Sequence, residues 1–297
     1  MNLKSLLTEQ VNPRSCDIDA RPTAEILQIM NDEDAKVASA VAAEIPRIAQ
    51  AVDRIAEAIR GGGRLFYIGA GSSGRLGVLD AAECPPTFNV APDLVHGIIA
   101  GGDAALARAT EASEDDPESG KRDLEGRGFM ARDVLVGIAA SGRTPYVLGA
   151  VTTARALGAL TIGISCTPDS ELSRVVDIPI SPLCGPEVIA GSTRLKAGTA
   201  TKLVLNMIST AVMIRLGHVY GNLMVNVSPR NSKLEDRARR IIAEAASVSI
   251  ERAGDLLKEA GGDVKAAIVM GRLGVNRAAA ELRLAEAGGS ISEALNK

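Results

Sequence analysis

Tryptophan is absent from the sequence, and three tyrosines and three phenylalanines are its only aromatics. Stacking platforms for nucleic-acid bases are therefore scarce. The core must be built from Ala, Val, Ile and Leu. Histidine occurs twice, as His96 and His218, and the four cysteines (Cys16, Cys84, Cys166 and Cys184) form no CxxC pair. Zinc-ligand spacing is missing, and so few scattered cysteines do not make a disulfide framework. No metal and no cofactor are expected. Charge of one sign does not accumulate either. Lys and Arg total 33 against 36 Asp and Glu, so the net charge is −3 with no concentrated basic face for a phosphate backbone. The opening "MNLKSLLTEQVNPRS" lacks the apolar segment of a signal peptide, and no apolar run reads as a membrane span. The expectation is a cytoplasmic protein with neither nucleic acid nor membrane as partner.

Apolar residues are plentiful at 46%, and 297 residues can bury a large core in one or two domains. Residues 1–31 are mixed, with Pro13 and Pro22, and read as an arm. From Asp32, the residues Val37, Val41, Ile48, Val52, Ile55 and Ile59 recur at helical spacing until Gly61–Gly63, with Pro46 expected to kink or divide the helix. Strands are expected at 64–68, 94–102, 159–166 and 175–182, and at the start of 133–145. Helices lie between them, the first over 74–83 and ending before Pro85-Pro86. This alternation indicates an α/β fold with a doubly wound parallel sheet. A long apolar helix ends at Gly217. The division expected is a domain over 1–229, with its N-terminal arm, and a small, charged all-helical subdomain over 230–297.

Two turns stand out. "FYIGAGSSGRLG", residues 66–77, has Gly69-x-Gly71-x-x-Gly74, the spacing of a dinucleotide fingerprint. Such a site also wants an acidic residue about 20 positions on, at the end of the second strand. Here that strand ends in Ala100-Gly101-Gly102, and Asp103 reads as a helix N-cap. The first turn carries Ser72 and Ser73. A second strand–turn–helix, "AASGRTP", carries Ser141, Gly142 and Thr144. Two hydroxyl-bearing turns, each opening a helix, can converge on one phosphate through backbone N–H groups, helix dipoles and hydroxyl donors. Either turn alone is as readily a mere connector.

"IGAGSSGR" with "ASGRTP" resembles the sugar isomerase (SIS) domain, and "GPEVIAGSTRLKAGTATK", residues 185–202, resembles the signature shared by N-acetylmuramic acid 6-phosphate etherases and the glucokinase regulatory protein. The opening "LLTEQVNPRSCDID" and "NDED" are similar to the etherases as well. The resemblance covers essentially the whole chain. It implies an SIS-type sheet that binds a phosphosugar, a homodimer, and a UBA-like helical C-terminus. It implies Ser72, Ser73, Gly74, Ser141, Gly142 and Thr144 as the phosphate site, and Glu83 and Glu114 as the two catalytic carboxylates. By spacing alone, Glu83 reads as a solvent-facing residue at a helix end and Glu114 as part of a solvated acidic run. A partly desolvated carboxyl at Glu83 would suit a general acid. Arg194 and Lys196, in the signature, are equally readable as ligands of a phosphate or carboxylate and as members of an ion pair.

The implied activity is cleavage of a D-lactyl ether at C3 of an N-acetylated sugar 6-phosphate, by elimination and water addition. The alternatives are a non-catalytic phosphosugar sensor, a phosphosugar isomerase and an SIS-type transcription regulator. The last needs a basic helix-turn-helix that the first 60 residues do not supply.

Overall fold

The structure, a computed structural model, describes residues 7–108, 114–227 and 232–296. The N-terminal arm makes two short 3-10 turns, Leu7–Glu9 and Ile18–Ala20, and then three helices: α1 (Thr23–Asp34), α2 (Val37–Ala42) and α3 (Ile45–Arg60). Helix therefore begins earlier than Asp32 and is broken twice. Pro46 sits in the first turn of α3, where its missing N–H has no intrahelical acceptor to lose. Ile48, Val52 and Ile55 form the buried stripe of α3.

Five strands follow, in alternation with helices: β1 (Leu65–Gly69), α4 (Gly71–Phe88), β2 (Val95–Ile99), α5 (Ala104–Ala107), α6 (Pro117–Gly126), β3 (Val134–Ile138), α7 (Pro145–Ala156), β4 (Leu160–Ile164), α8 (Glu171–Val175) and β5 (Ile178–Ile180). The sheet is parallel throughout, in the order β2-β1-β3-β4-β5. β1 and β3 are buried along their whole length, as strands covered on both faces must be. The doubly wound α/β sheet expected from the sequence is present. In this order the chain leaves β1 toward opposite sides, so a crevice opens between the carboxyl ends of β1 and β3. The register pairs Gly69 with Ile138, so the turns that follow the two strands start at the same level.

α4 departs from expectation. It runs through Pro85 and Pro86 to Phe88 instead of stopping before them. The fixed φ of proline suits a helix, and so near the end only two backbone donors are missing. The Pro85 carbonyl still accepts from Asn89 N at 2.9 Å.

After β5 come the long helix α9 (Lys196–Arg215), a short antiparallel pair, β6 (Val219–Tyr220) with β7 (Leu223–Met224), and five helices. These are α10 (Ser232–Ala246), α11 (Ile250–Glu259), α12 (Val264–Leu273), α13 (Arg277–Glu286) and α14 (Ile291–Asn296). Ser249, Asp263 and Asn276 cap α11, α12 and α13 by accepting from backbone N–H groups three residues on. By its contacts the chain forms two compact units, one of Met1–Ala82 with Asp93–Ser209, the other of Glu83–Pro92 with Thr210–Lys297. The second has its own core, including Ile242, Leu256, Ile268 and Val269. The boundary expected at 229/230 falls on residues outside the described ones. By length and mean hydropathy (20 residues, 1.3), α9 is the one described helix that meets the measure of a bilayer span, which the sequence reading did not foresee; 56% of its apolar stretch is buried, as in a core helix.

Candidate active site

The two hydroxyl-bearing turns meet. A cavity of about 590 Å³ in the first unit is lined by Ser72, Ser73 and Arg75 from the start of α4, by Ser141 and Thr144 from the turn after β3, and by Gly191–Arg194 from the loop before α9. Its size suits a small ligand. Thr144 occupies the N-cap of α7, yet its side chain makes no capping bond, so its hydroxyl is not spent on the helix. The start of α4 brings backbone dipoles to the same place, a setting that favours an anion.

Three carboxylates also line the cavity: Glu9, Glu114 and Asp115. Glu114 is held firmly. Its carbonyl accepts from Tyr146 N at 3.1 Å, and Tyr146 in turn donates its hydroxyl to Asp123 at 2.6 Å. α6 and α7 cross so closely that a side chain at Gly120 would lie 1.9 Å from the Tyr146 carbonyl. The Glu114 carboxylate reaches over the first turn, 3.1 Å from where a β-carbon on Gly71 would stand.

Cations differ in their commitments. Arg75 spends its guanidinium on the carbonyls of Leu106 (3.1 Å) and Arg108 (3.2 Å), pinning the chain beyond α5. Arg194 is exposed and has no ion-pair partner among the described residues, so it is open to an incoming anion. Lys196 does not line the cavity. Its ammonium lies 2.6 Å from Glu33, with both side chains almost wholly buried. Its backbone N–H and that of Ala197 donate to the Glu187 carboxylate, both at 2.9 Å, which satisfies the first turn of α9. Of the two readings open for Lys196, the ion pair is the one observed, in the interior rather than at the surface.

Two expected phosphate residues also build the site rather than line it. Gly74 donates its N–H to Ala70 O at 3.2 Å, and a β-carbon there would meet Gly69 O at 2.5 Å. It serves close packing of helix on strand. Gly142 has φ +67°, and a β-carbon would lie 2.3 Å from Ser170 Oγ. Glu83 belongs to the second unit, about three turns along α4 from Ser72 and Ser73. Its side chain is exposed, and it is not among the lining residues. The sequence reading missed Glu9, Arg75, Asp115 and the polar loop Gly191–Thr193.

α4 is fastened behind the site by Asp80. Burial raises the pKa of this carboxyl, and hydrogen bonds from Asn206 (2.7 Å), Ser209 (3.1 Å) and Tyr67 pull the other way. Among the described residues no three His, Cys, Asp or Glu side chains gather as metal ligands. His96 stacks on Phe66 with ring centroids 4.4 Å apart, a packing role.

The chain is similar to known proteins over most of its length. Residues 47–155 match the family model of the glucokinase regulatory protein N-terminal SIS domain. The N-acetylmuramic acid 6-phosphate etherase of Photorhabdus laumondii is 52% identical over 291 residues, covering 98% of this chain and 97% of that protein. The etherase of Clostridium beijerinckii is 51% identical over 297 residues, covering 100% and 98%. Among solved structures, a protein of Bacteroides fragilis provisionally named a phosphosugar isomerase involved in capsule formation shares the fold. The TM-score is 0.52 at 21% identity, over 68% of this chain and 95% of that one.

Proposed function

The chain belongs to the N-acetylmuramic acid 6-phosphate etherase family, and from that premise we propose how its own residues carry out the reaction. It is an enzyme that cleaves the D-lactyl ether of N-acetylmuramic acid 6-phosphate, giving N-acetylglucosamine 6-phosphate and D-lactate. The observation that carries the reading is the convergence of the Ser72-Ser73 and Ser141–Thr144 turns, with Glu114, on one cavity.

The phosphate is the handle. Ser72, Ser73, Ser141 and Thr144 donate hydroxyl hydrogen bonds to its oxygens, and the helix starts supply the field. Anchoring matters because the reacting form is an open chain whose ordering costs entropy. Ring opening exposes an aldehyde at C1, which acidifies the proton on C2. Glu114 removes that proton, and the electron pair expels lactate from C3 as a general acid protonates the departing oxygen, the role that family resemblance implies for Glu83, which stands outside this cavity. Water, activated by the same group, then adds at C3 and a proton returns to C2. Only proton transfers are required. Arg194 pairs with the lactyl carboxylate.

We further propose a homodimer in the cytoplasm. Leu79 on α4 and Met207 on α9 are exposed, at 54% and 39%, and a second copy would cover them. A neighbouring copy over α4 would also take Glu83 out of water, the environment a general acid needs. The four cysteines are all free thiols, which suits a reducing compartment. A sedimentation experiment that finds a fully active monomer contradicts the dimer.

The direct test is to incubate purified protein with N-acetylmuramic acid 6-phosphate and assay D-lactate. Release is expected. Tight binding of the phosphosugar without lactate would favour the second reading, a regulatory phosphosugar sensor.

A further inference from the structure

The arm that precedes α1 is strapped across the loop before α9. Asn12 Nδ2 donates to the Pro186 carbonyl at 3.0 Å, and Ser15 Oγ to the Val188 carbonyl at 2.8 Å. Gly191 N donates to the Thr8 carbonyl at 3.1 Å. Asn12 also donates to Glu33 at 3.0 Å, tying the strap to the buried pair with Lys196. Thr8 is buried, which anchors the backbone next to Glu9, whose own side chain is exposed. Glu9 stands at the cavity wall. The Glu9 carboxylate lies 3.2 Å from where a β-carbon on Gly191 would be, at a position whose φ of +78° already favours glycine.

Glu9 has no ion-pair partner among the described residues, and a carboxylate is a poor neighbour for a phosphate. Its usefulness in an anion-binding cavity must lie with donors. The hydroxyl turns hold one end of the ligand. A sugar phosphate held there would place its remaining atoms, which bear hydroxyl groups and an amide N–H, in the space that Glu9, Ser192 and Thr193 help to line.

We propose that Glu9 is a substrate-binding residue, its carboxylate accepting hydrogen bonds from the sugar's hydroxyl or amide groups, and that the N-terminal arm is thereby a wall of the site. The proposal rests on the phosphosugar reading above. Charge-assisted bonds of this kind are short and strong, and they discriminate a sugar phosphate from phosphate alone.

Calorimetric titration of two probes separates the possibilities: inorganic phosphate, and N-acetylglucosamine 6-phosphate. Glu9→Gln should weaken the sugar phosphate about tenfold or more. It should leave inorganic phosphate unchanged or slightly tighter, since a repelling charge is gone. Glu25→Gln, on the exposed face of α1, should change neither. If Glu9→Gln shifts both probes by the same factor, or tightens the sugar phosphate, Glu9 acts only as a surface charge and the proposal is overturned. If the wild-type protein binds phosphate but not the sugar phosphate, the phosphosugar reading itself falls, and the role of Glu9 with it. Thermal unfolding of Glu9→Gln close to wild type would show that the arm remains in place.

Discussion

The Lys196 ammonium and the Glu33 carboxylate meet at 2.6 Å with almost no solvent contact, 163 residues apart in sequence. The pair joins the first turn of α9 to α1, and so holds the loop that lines the cavity. Lys196→Met would leave the Glu33 charge buried with only Asn12, Lys36 and the more distant Arg14 (4.0 Å) beside it. Breaking a buried pair from one side costs about 3–5 kcal/mol, whereas replacing both partners costs much less. Urea unfolding should show that loss in the single variant and a partial recovery in Glu33→Gln/Lys196→Met. A single variant within about 1 kcal/mol of wild type would mean that the pair behaves like a surface one.

The same pair sets an acid limit. Burial opposes ionisation of Glu33, but hydrogen bonds from Lys196, Lys36 and Asn12 prevail and hold its pKa at about 2, against an ordinary 4.5. Its contribution to stability is therefore full above pH 4.5 and is lost as pH falls from there through 2. Glu33→Gln should flatten the stability profile in that window. An unchanged slope would contradict the assignment.

His218 acts in a different window. Burial, with the nearby Lys265 charge, brings its pKa down from 6.5 to about 4. Asn226 Nδ2 donates to the His218 Nδ1 at 2.9 Å and to the Phe88 carbonyl at 2.6 Å, an arrangement that needs a neutral ring. The unfolded chain binds this proton more readily, so stability should decline as pH falls from 6.5 to about 4 and level off below. The loss is on the order of 3 kcal/mol. Unfolding midpoints measured at pH 7 and 5 should differ less in His218→Gln than in the wild type.

The proposed phosphate site makes a prediction about ligands. Ser141→Ala removes one hydroxyl donor to a charged oxygen and should weaken substrate binding roughly tenfold or more. Thermal stabilisation by sugar 6-phosphates and none by NAD is expected. The reverse pattern would return the Gly69-x-Gly71-x-x-Gly74 loop to its dinucleotide reading.

Chelation should be without effect, because in the C3–O cleavage and water addition as drawn the protein's catalytic groups only transfer protons. Inactivation by EDTA that zinc or magnesium restores would overturn that scheme.

The sheet was legible because its strands are short apolar runs entering glycine turns, a pattern that fixes both period and direction. The two hydroxyl-bearing turns were legible for the same reason: each couples a strand end to a helix start with hydroxyls between. α4 was misjudged at Pro85-Pro86 because a local rule about proline yields where only the last turn is affected. Lys196 and Glu33 could not be paired from sequence, since nothing local links α1 to the start of α9. Glu9 was hidden differently. A lone acidic residue near a chain terminus carries no pattern, and only the strap through Thr8, Asn12 and Ser15 anchors the backbone beside it. Nothing local in the acidic run marks Glu114 and Asp115 as the members that line the cavity; only family resemblance pointed to Glu114.

The account rests on removal of the C2 proton by Glu114, and isotope exchange tests that step apart from the rest. In deuterium oxide, Glu83→Gln should lose lactate release yet still exchange the C2 proton of N-acetylmuramic acid 6-phosphate, while Glu114→Gln should lose both, by about 10²–10⁴ in rate. Exchange abolished in Glu83→Gln and retained in Glu114→Gln would reverse the two roles, and wild-type lactate release without any C2 exchange or solvent deuterium in the product would contradict elimination itself.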